Sequence, residues 1–268
     1  MTPDTPNQSV LVSQRIGGIA LLKLNRPDRL NALSPQLHQA LQAAVREAAE
    51  DADVRVVLIT GEGRAFCSGG DTGGARGQTG PVSQEQRIDE IVARSATNQI
   101  LHEMPKPSLA LVNGVAAGSG LALALACDMR IGSVEASMVP AYAKLALSGD
   151  YGVTYFLTQL AGPAKACELM FLNQKIDATE AMACGLLNQV VSAGSLMDEG
   201  LRVAEQLCAA PPVALRYMKR NIRASMVQTL GDVTALEAAA MIRCSKTQDA
   251  KEAMIALKEK RDPTFKGF

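Results

Sequence analysis

Tryptophan is absent from this 268-residue chain, and phenylalanine and tyrosine bring the aromatic content to only 3%. So few rings exclude a platform that stacks nucleic-acid bases, and they leave the core to Ala, Leu, Val, Ile and Met. Net charge is missing too. Lys+Arg 27 against Asp+Glu 27 sums to a formal charge of +0, which argues against a polyanion-binding surface while leaving room for a local phosphate patch. The six cysteines (Cys67, Cys127, Cys167, Cys184, Cys208 and Cys244) form no C-x-x-C pair and are irregularly spaced, so the usual zinc and haem patterns are excluded. No metal is expected. A chain this large needs no disulfide staples, and the cysteines are expected as free thiols in a reducing, cytoplasmic setting. The first ten residues, MTPDTPNQSV, lack the apolar stretch of a signal peptide. The Ala/Leu run 121–127 is too short to span a membrane and is closed by Asp128. Neither nucleic acid nor membrane is expected as a partner.

What is present is a globular composition, 47% hydrophobic and 20% charged, of a size for one large domain or one domain with an appendage. Residues 19–24 read as a strand. Ser34 offers an N-cap and Pro35 a first helical position, and Leu37, Ala40, Leu41, Ala44, Val45 and Ala48 then share one helical face. The run VRVVLIT (54–60) is continuously apolar, as in a strand buried on both faces. Residues 61–80 are a Gly-rich loop, 87–102 a helix ended by Pro105 and Pro107, 109–112 a second buried strand, 118–127 a compact Ala/Leu helix, and 129–132 a further strand. Recurrent strand, Gly-containing loop and helix predict an α/β body of stacked ββα-like units. Beyond about residue 195 the periodicity is helical, broken at Pro211–Pro212. The expected division is therefore an α/β core over 1–195 and a helical region over 196–268, whose apolar faces need the body or a neighbouring subunit to cover them.

Two segments share one physical logic. GEGRAFCSGGD (61–71) follows the strand VRVVLIT, and NGVAAGSG (113–120) follows LALV and opens a helix. Each delivers the chain from a buried strand into a Gly-rich turn, where the backbone can approach a ligand closely. Around Gly118, free N–H groups gather at a helix N-terminus, where the dipole favours negative charge. Two such turns on adjacent strands would aim two N–H donors at one oxygen. A single Gly-rich turn is more often only a turn, and neither segment is a P-loop or a dinucleotide fingerprint. Taken alone, the chemistry stops at a candidate anion site.

The order LNRPDRLNALS, ITGEGRAFCSGGD and PKPSLALVNGVAAGSG…ACDMRI, with LKEKRDPTFKG near the end, closely resembles the enoyl-CoA hydratase/isomerase (crotonase) superfamily over nearly the whole chain. The resemblance implies a crotonase-like α/β spiral of ββα units with a C-terminal helical trimerisation region, assembled as a homo-trimer or dimer of trimers. It implies an acyl-CoA thioester as substrate, with coenzyme A part of that substrate and no other cofactor. By similarity the oxyanion donors are the backbone N–H groups of Cys67 and Ser119. Arg29, Leu30 and Ala32, the loop of Ser68, Gly69, Gly70 and Asp71, and Gly118 line the coenzyme A and thioester. Lys260 and Phe265 fall where the family's C-terminal helix meets coenzyme A from an adjacent subunit.

The acids decide the chemistry. Hydratases of the family use two glutamates to activate water, and the matching positions hold Ala122 and Tyr142. Without an acid/base pair, water has no evident activator. One acid remains in the region, Asp150 in LALSGDYGVT, which resembles the aspartate of the isomerase-like branch, with Gly149 in place of a proline and Val153 of a glycine. There a single carboxylate carries a proton from Cα to Cγ of a β,γ-unsaturated acyl-CoA. Leu145, Ala146, Leu147 and Val153 supply an apolar surrounding that would raise its pKa. The competing role for Asp150 is N-cap of a helix over 151–160. Tyr142 is read either as a proton donor or as a pocket wall, and Lys144 as solvated. Tyr142 and Asp150 also have the spacing of the aryl-CoA dehalogenase branch, but that branch's histidine maps to Ser95, so this chemistry ranks below isomerisation. His38, on a surface-like helix position, and His102, at a helix end, are read as structural. Hydratase or lyase chemistry and a non-catalytic acyl-CoA-binding protein remain the alternatives. The segment TGGARGQTGPVSQEQ (72–86) is expected to act as a mobile lid.

Overall fold

A computed structural model describes residues 9–71 and 83–268. Among them the chain forms β1 (Leu11–Ile16), β2 (Ile19–Leu24), α1 (Pro35–Glu50), β3 (Val56–Gly61), β4 (Ala65–Cys67), α2 (Gln84–Glu103), β5 (Ser108–Val112), β6 (Val115–Ala117), α3 (Ser119–Ala126), β7 (Met129–Ser133) and β8 (Ser137–Val139). It continues through α4 (Val153–Leu172), β9 (Ile176–Asp177), α5 (Ala178–Ala183), β10 (Gln189–Val191), α6 (Leu196–Ala209), α7 (Pro212–Ser225), α8 (Leu230–Ser245) and α9 (Gln248–Glu259). A six-stranded sheet runs β1-β2-β3-β5-β7-β10, and a four-stranded sheet runs β4-β6-β8-β9. Three successive units, β3–β4–α2, β5–β6–α3 and β7–β8–α4, each give their first strand to the larger sheet and their second to the smaller. This is the expected spiral of ββα units. Its strands within each sheet are parallel, because every return passes through a helical crossover.

The apolar run of β3 shows why the body holds. Val57 and Ile59 enter the main core with Leu37, Leu41 and Val45 of α1, while Val56 and Leu58 enter a second core with Leu196, Val203 and Ala204 of α6. Alternate residues of one strand thus serve opposite faces, both covered. Helix α6 is therefore a layer of the body, although it lies beyond the expected division at residue 195. The helices after it carry the uncovered apolar faces, with Leu230 84%, Met241 71% and Leu257 72% exposed. Helix α7 is fastened by Lys219, whose ammonium donates to Leu101 O (2.8 Å), Lys106 O (3.0 Å) and the Asp128 carboxylate (2.7 Å). No helix of the described residues is long and apolar enough to cross a membrane. All six cysteines are free thiols.

Local signals read from sequence reappear in place. The Ser34 side chain accepts from Leu37 N and Pro35 opens α1. Helix α4 differs from expectation. It begins at Val153 with Gly152 (φ 80) as N-cap and no side-chain cap, so Asp150 is not the capping residue. Residues 72–82 of the expected lid lie outside the described residues, and Ser83 caps α2 through a capping box with Gln86.

Candidate active site

The two Gly-rich turns meet face to face. Strands β4 and β6 pair side by side, with Cys67 opposite Ala116. A Cβ on Gly120 would lie 2.3 Å from Cys67 O and 2.7 Å from its Cβ and Sγ, so the first turn of α3 rests directly on Cys67, and only glycine fits there. Gly69 adopts φ +98, and a Cβ on it would lie 2.9 Å from Ala117 O and 3.7 Å from Ser119 N. The loop 68–70 and the start of α3 are thus in contact. The opening amides of α3 have no intrahelical acceptor by construction. Gly118 N–H donates to Val139 O at 3.1 Å, and Ser119 stands first in the helix behind it.

The amides of the facing loop are mostly engaged. Ser68 N–H donates to Leu30 O (3.0 Å), Asp71 N–H to Leu33 O (3.2 Å), and Gly69 N–H to the Cys67 sulfur. Gly70 lies between them, exposed, and no acceptor is given for its N–H among the described residues. Cys67, the expected donor, is 0% exposed inside the paired strand β4, and burial pushes its thiol up to about 12. It forms the wall under the turn, and its thiol is out of play at neutral pH.

The turn 26–33 is built against this loop by Arg26 and Asn31, which the sequence did not mark. Leu30 and Asn31 are left-handed (φ 50 and 54). Asn31 is 0% exposed, accepts from Arg26 N (2.9 Å) and donates to Glu62 O (2.9 Å) and Ala65 O (2.7 Å). Asn, whose side chain bonds locally and tolerates this conformation, suits the position. Arg26 pairs with Asp71 at 2.8 Å, and Leu33 N–H donates to Gly69 O at 2.8 Å. Arg29, Leu30 and Ala32 and the loop of Ser68, Gly69, Gly70 and Asp71 are therefore one continuous rim. Arg29 is exposed, and its carbonyl accepts from Ser68 Oγ at 3.5 Å.

Asp150 and Tyr142 are brought together beside the turn that opens α3. The Tyr142 hydroxyl donates to Asp150 Oδ1 at 2.7 Å. Tyr142 is 7% exposed, and a Cβ on Gly118 would lie 3.9 Å from its Cζ and hydroxyl, so the pair stands beside the turn that opens α3. Burial raises the Asp150 pKa and the Tyr142 hydrogen bond lowers it, the net direction being upward; burial and the Asp150 charge drive the Tyr142 phenol well above its usual range. The apolar surrounding differs from expectation. Leu145 and Leu147 point outward (61% and 59% exposed), and of the residues named only Val153 is buried. Lys144 is exposed, and Ala122 is 0% exposed within α3.

His38 corrects its surface reading. It is 9% exposed, its Nε2 lies 2.9 Å from the Tyr151 hydroxyl, and the rings stack at 5.3 Å. Burial first and then Arg94 lower its pKa from 6.5 to about 4, so the ring is neutral at physiological pH. Amphipathic periodicity put His38 one step off the apolar stripe of α1, and no local signal shows that Tyr151, from the turn before α4, stacks on it. His102 packs edge-on to Tyr155 (5.7 Å) and Phe156 (5.5 Å), a structural role. Lys260 ends α9, and Phe265 O accepts from Arg55 Nη2 (3.0 Å). Arg55 precedes β3, at the opposite end of that strand from the site, so Phe265 does not join the site of its own chain. Among the described residues no three His, Cys, Asp or Glu side chains gather to hold a metal ion.

Residues 14–267 match the family model for enoyl-CoA hydratase/isomerase. The chain is 34% identical over 256 residues to 1,2-epoxyphenylacetyl-CoA isomerase of Escherichia coli (strain K12), covering 93% of this chain and 95% of that protein. It is 31% identical over 258 residues to the short-chain-enoyl-CoA hydratase of Clostridium acetobutylicum, covering 94% and 95%. The crystal structure of enoyl-CoA hydratase from Bacillus anthracis superposes with a TM-score of 0.91 at 32% identity, over 97% of this chain and 100% of that one. With its spiral of ββα units and its two facing turns, the chain belongs to the enoyl-CoA hydratase/isomerase family and is an acyl-CoA enzyme of the crotonase type.

Proposed function

We propose that this enzyme moves a double bond within an unsaturated acyl-CoA by proton transfer through one carboxylate, Asp150. The observation that carries the reading is the Tyr142–Asp150 hydrogen bond of 2.7 Å beside the α3 turn, in a site whose other acid position is Ala122. The Asp150 carboxylate removes a proton from Cα of a β,γ-unsaturated thioester. The C–H electron pair enters the conjugated system, and negative charge collects on the thioester oxygen. Asp150, now the acid, returns the proton to Cγ, and the double bond stands between Cα and Cβ. One base suffices because the proton taken is the proton given back. The raised pKa of Asp150 suits both halves of that exchange.

The developing oxyanion is held by the Ser119 N–H at the head of α3 and by a donor from the facing loop. On that side we assign Gly70 in preference to Cys67, because Gly70 is exposed at the rim while Cys67 is sealed in a paired strand. The loss of one such donor costs about 2.7–4 kcal/mol of transition-state stabilisation. The rim of Arg29, Leu30, Ala32 and residues 68–71 is the assigned resting place of coenzyme A, with the exposed Arg29 available to a phosphate. Of the two relatives named above, one is an isomerase of an epoxide thioester and the other a hydratase of enoyl thioesters, so both act on acyl-CoA and neither name is that of the double-bond shift proposed here.

Incubation with 3-hexenoyl-CoA and with crotonyl-CoA in D₂O, followed by NMR and mass spectrometry, tests the proposal. The expected result is conversion of the 3-ene to the 2-ene, reduced about 10²–10⁴-fold in Asp150→Asn while acyl-CoA still binds. Water addition to crotonyl-CoA that survives Asp150→Asn would establish hydration instead. Tight binding with no turnover of either thioester would point to a non-catalytic acyl-CoA-binding role.

A further inference from the structure

Asp150 sits in a backbone segment that local forces do not hold. Gly149 (φ 109), Tyr151 (φ 55) and Gly152 (φ 80) surround it with left-handed or positive-φ conformations, and Tyr151 adopts one despite carrying a Cβ. Helix α4 contributes only Val153 N–H to Asp150 O at 3.1 Å, with no side-chain cap. A strained residue persists where its surroundings over-determine it, and Tyr151 is gripped at both ends. Its carbonyl accepts from Asn98 Nδ2 of α2 at 2.9 Å, and its hydroxyl meets His38 Nε2 of α1 at 2.9 Å. The rings of His38 and Tyr151 lie 17° from parallel. Asn98 and His38 are 4% and 9% exposed. Buried polar side chains are costly unless bonded, and Tyr151 is the hydrogen-bond partner that the structure gives to each. Helix α1 also begins directly after the turn 26–33, so the same grip ties the coenzyme A rim to the loop of Asp150.

We propose that Tyr151, clamped by His38 and Asn98, is the positioning device that aims the Asp150 carboxylate, with His38 and Asn98 as positioning residues that never touch substrate. This rests on the role proposed above for Asp150. Loosening the clamp lets the carboxylate swing from its seat against Tyr142, and misplacement by an ångström costs rate rather than substrate affinity.

The test compares Tyr151→Phe, His38→Leu, His38→Gln and Asn98→Ala with the parent and with Asp150→Asn, using 3-hexenoyl-CoA isomerisation as the assay. Tyr151→Phe keeps the ring and its stack and deletes only the hydroxyl. The expected result is a fall in kcat of about tenfold to a hundredfold in Tyr151→Phe, His38→Leu and Asn98→Ala, with KM within about twofold. His38→Gln, which can still bond the phenol, recovers most of the loss. Because both tyrosines act on one carboxylate, Tyr142→Phe combined with Tyr151→Phe loses less than the product of the single losses. A merely structural pair would lower the melting temperature and leave kcat of the folded fraction unchanged. That outcome in Tyr151→Phe, with Asp150→Asn inactive, overturns the clamp alone. Asp150→Asn as active as the parent overturns the role of Asp150 and the clamp with it.

Discussion

The substitution Tyr142→Phe removes a single O–H from a side chain that is 7% exposed, and with it the 2.7 Å hydrogen bond to Asp150. The ring volume is conserved, so packing is little disturbed. Hydrogen bonds to charged groups are worth about 1.5–3 kcal/mol. Asp150 is only partly buried, which places this one at the lower end, about 1.5 kcal/mol or about tenfold in the ratio of carboxylate to acid. The sign follows from the two opposing causes. Burial raises the Asp150 pKa, and the phenol is the group that lowers it; without the phenol the pKa rises further. In the proposed reaction proton abstraction needs the carboxylate, so the acid limb of the kcat–pH profile is expected to move to higher pH. On that limb kcat falls about tenfold at fixed pH, and on the plateau above it kcat changes by less than about threefold, since the remaining base is if anything stronger. The assay is NMR-detected isomerisation and deuterium incorporation across the limb, parent against variant. An unmoved limb, or one displaced to lower pH, would refute the reasoning. A loss of equal size at every pH would mean that the phenol acts on the substrate and not through Asp150.

His38 predicts a stability effect of definite sign. Its pKa falls from 6.5 to about 4 on folding, so between those values the unfolded chain binds a proton that the folded chain does not. Stability is then full above pH 6.5 and declines towards pH 4, by about 3 kcal/mol for a ring this buried. Urea unfolding as a function of pH should show that slope in the parent and not in His38→Gln; identical slopes would exclude it. Asn31→Ala deletes the bonds to Arg26, Glu62 and Ala65 and puts a Cβ without local bonding into φ 54. A loss of about 3 kcal/mol in urea unfolding is expected, with weaker acyl-CoA binding at the loosened rim. Asn31→Gly, free of the left-handed penalty, should lose about 1 kcal/mol less, and equal losses would show that the backbone term is absent.

Legibility followed the range of the forces involved. The strand Ile19–Leu24, the Ser34 cap with Pro35 and the buried run of β3 were readable because each is decided within a few residues, by periodicity, capping or a lost N–H. The strands β4, β6 and β8 have three residues each, too few to carry a period, and they exist because the spiral lays them side by side. For that reason residues 61–71 read as loop alone, although Ala65–Cys67 is a strand paired with β6. The family resemblance named Tyr142 and Asp150, but their 2.7 Å bond depends on how the chain turns between β8 and α4. Asn31 is the clearest case of a side chain whose partners, Glu62 and Ala65, lie 31 and 34 residues away.

The sequence by itself determined the α/β class and the two glycine turns, since these are matters of residue identity and short-range pattern, while the family resemblance is what pointed to Ala122, Tyr142 and Asp150. Only the tertiary structure decided what surrounds that aspartate. His38 and Tyr151 are 113 residues apart in the chain and meet at 2.9 Å. No local energy links them; burying the apolar faces of α1 and α4 against one core brings His38 and the turn before α4 together, and once buried each polar group needs a partner.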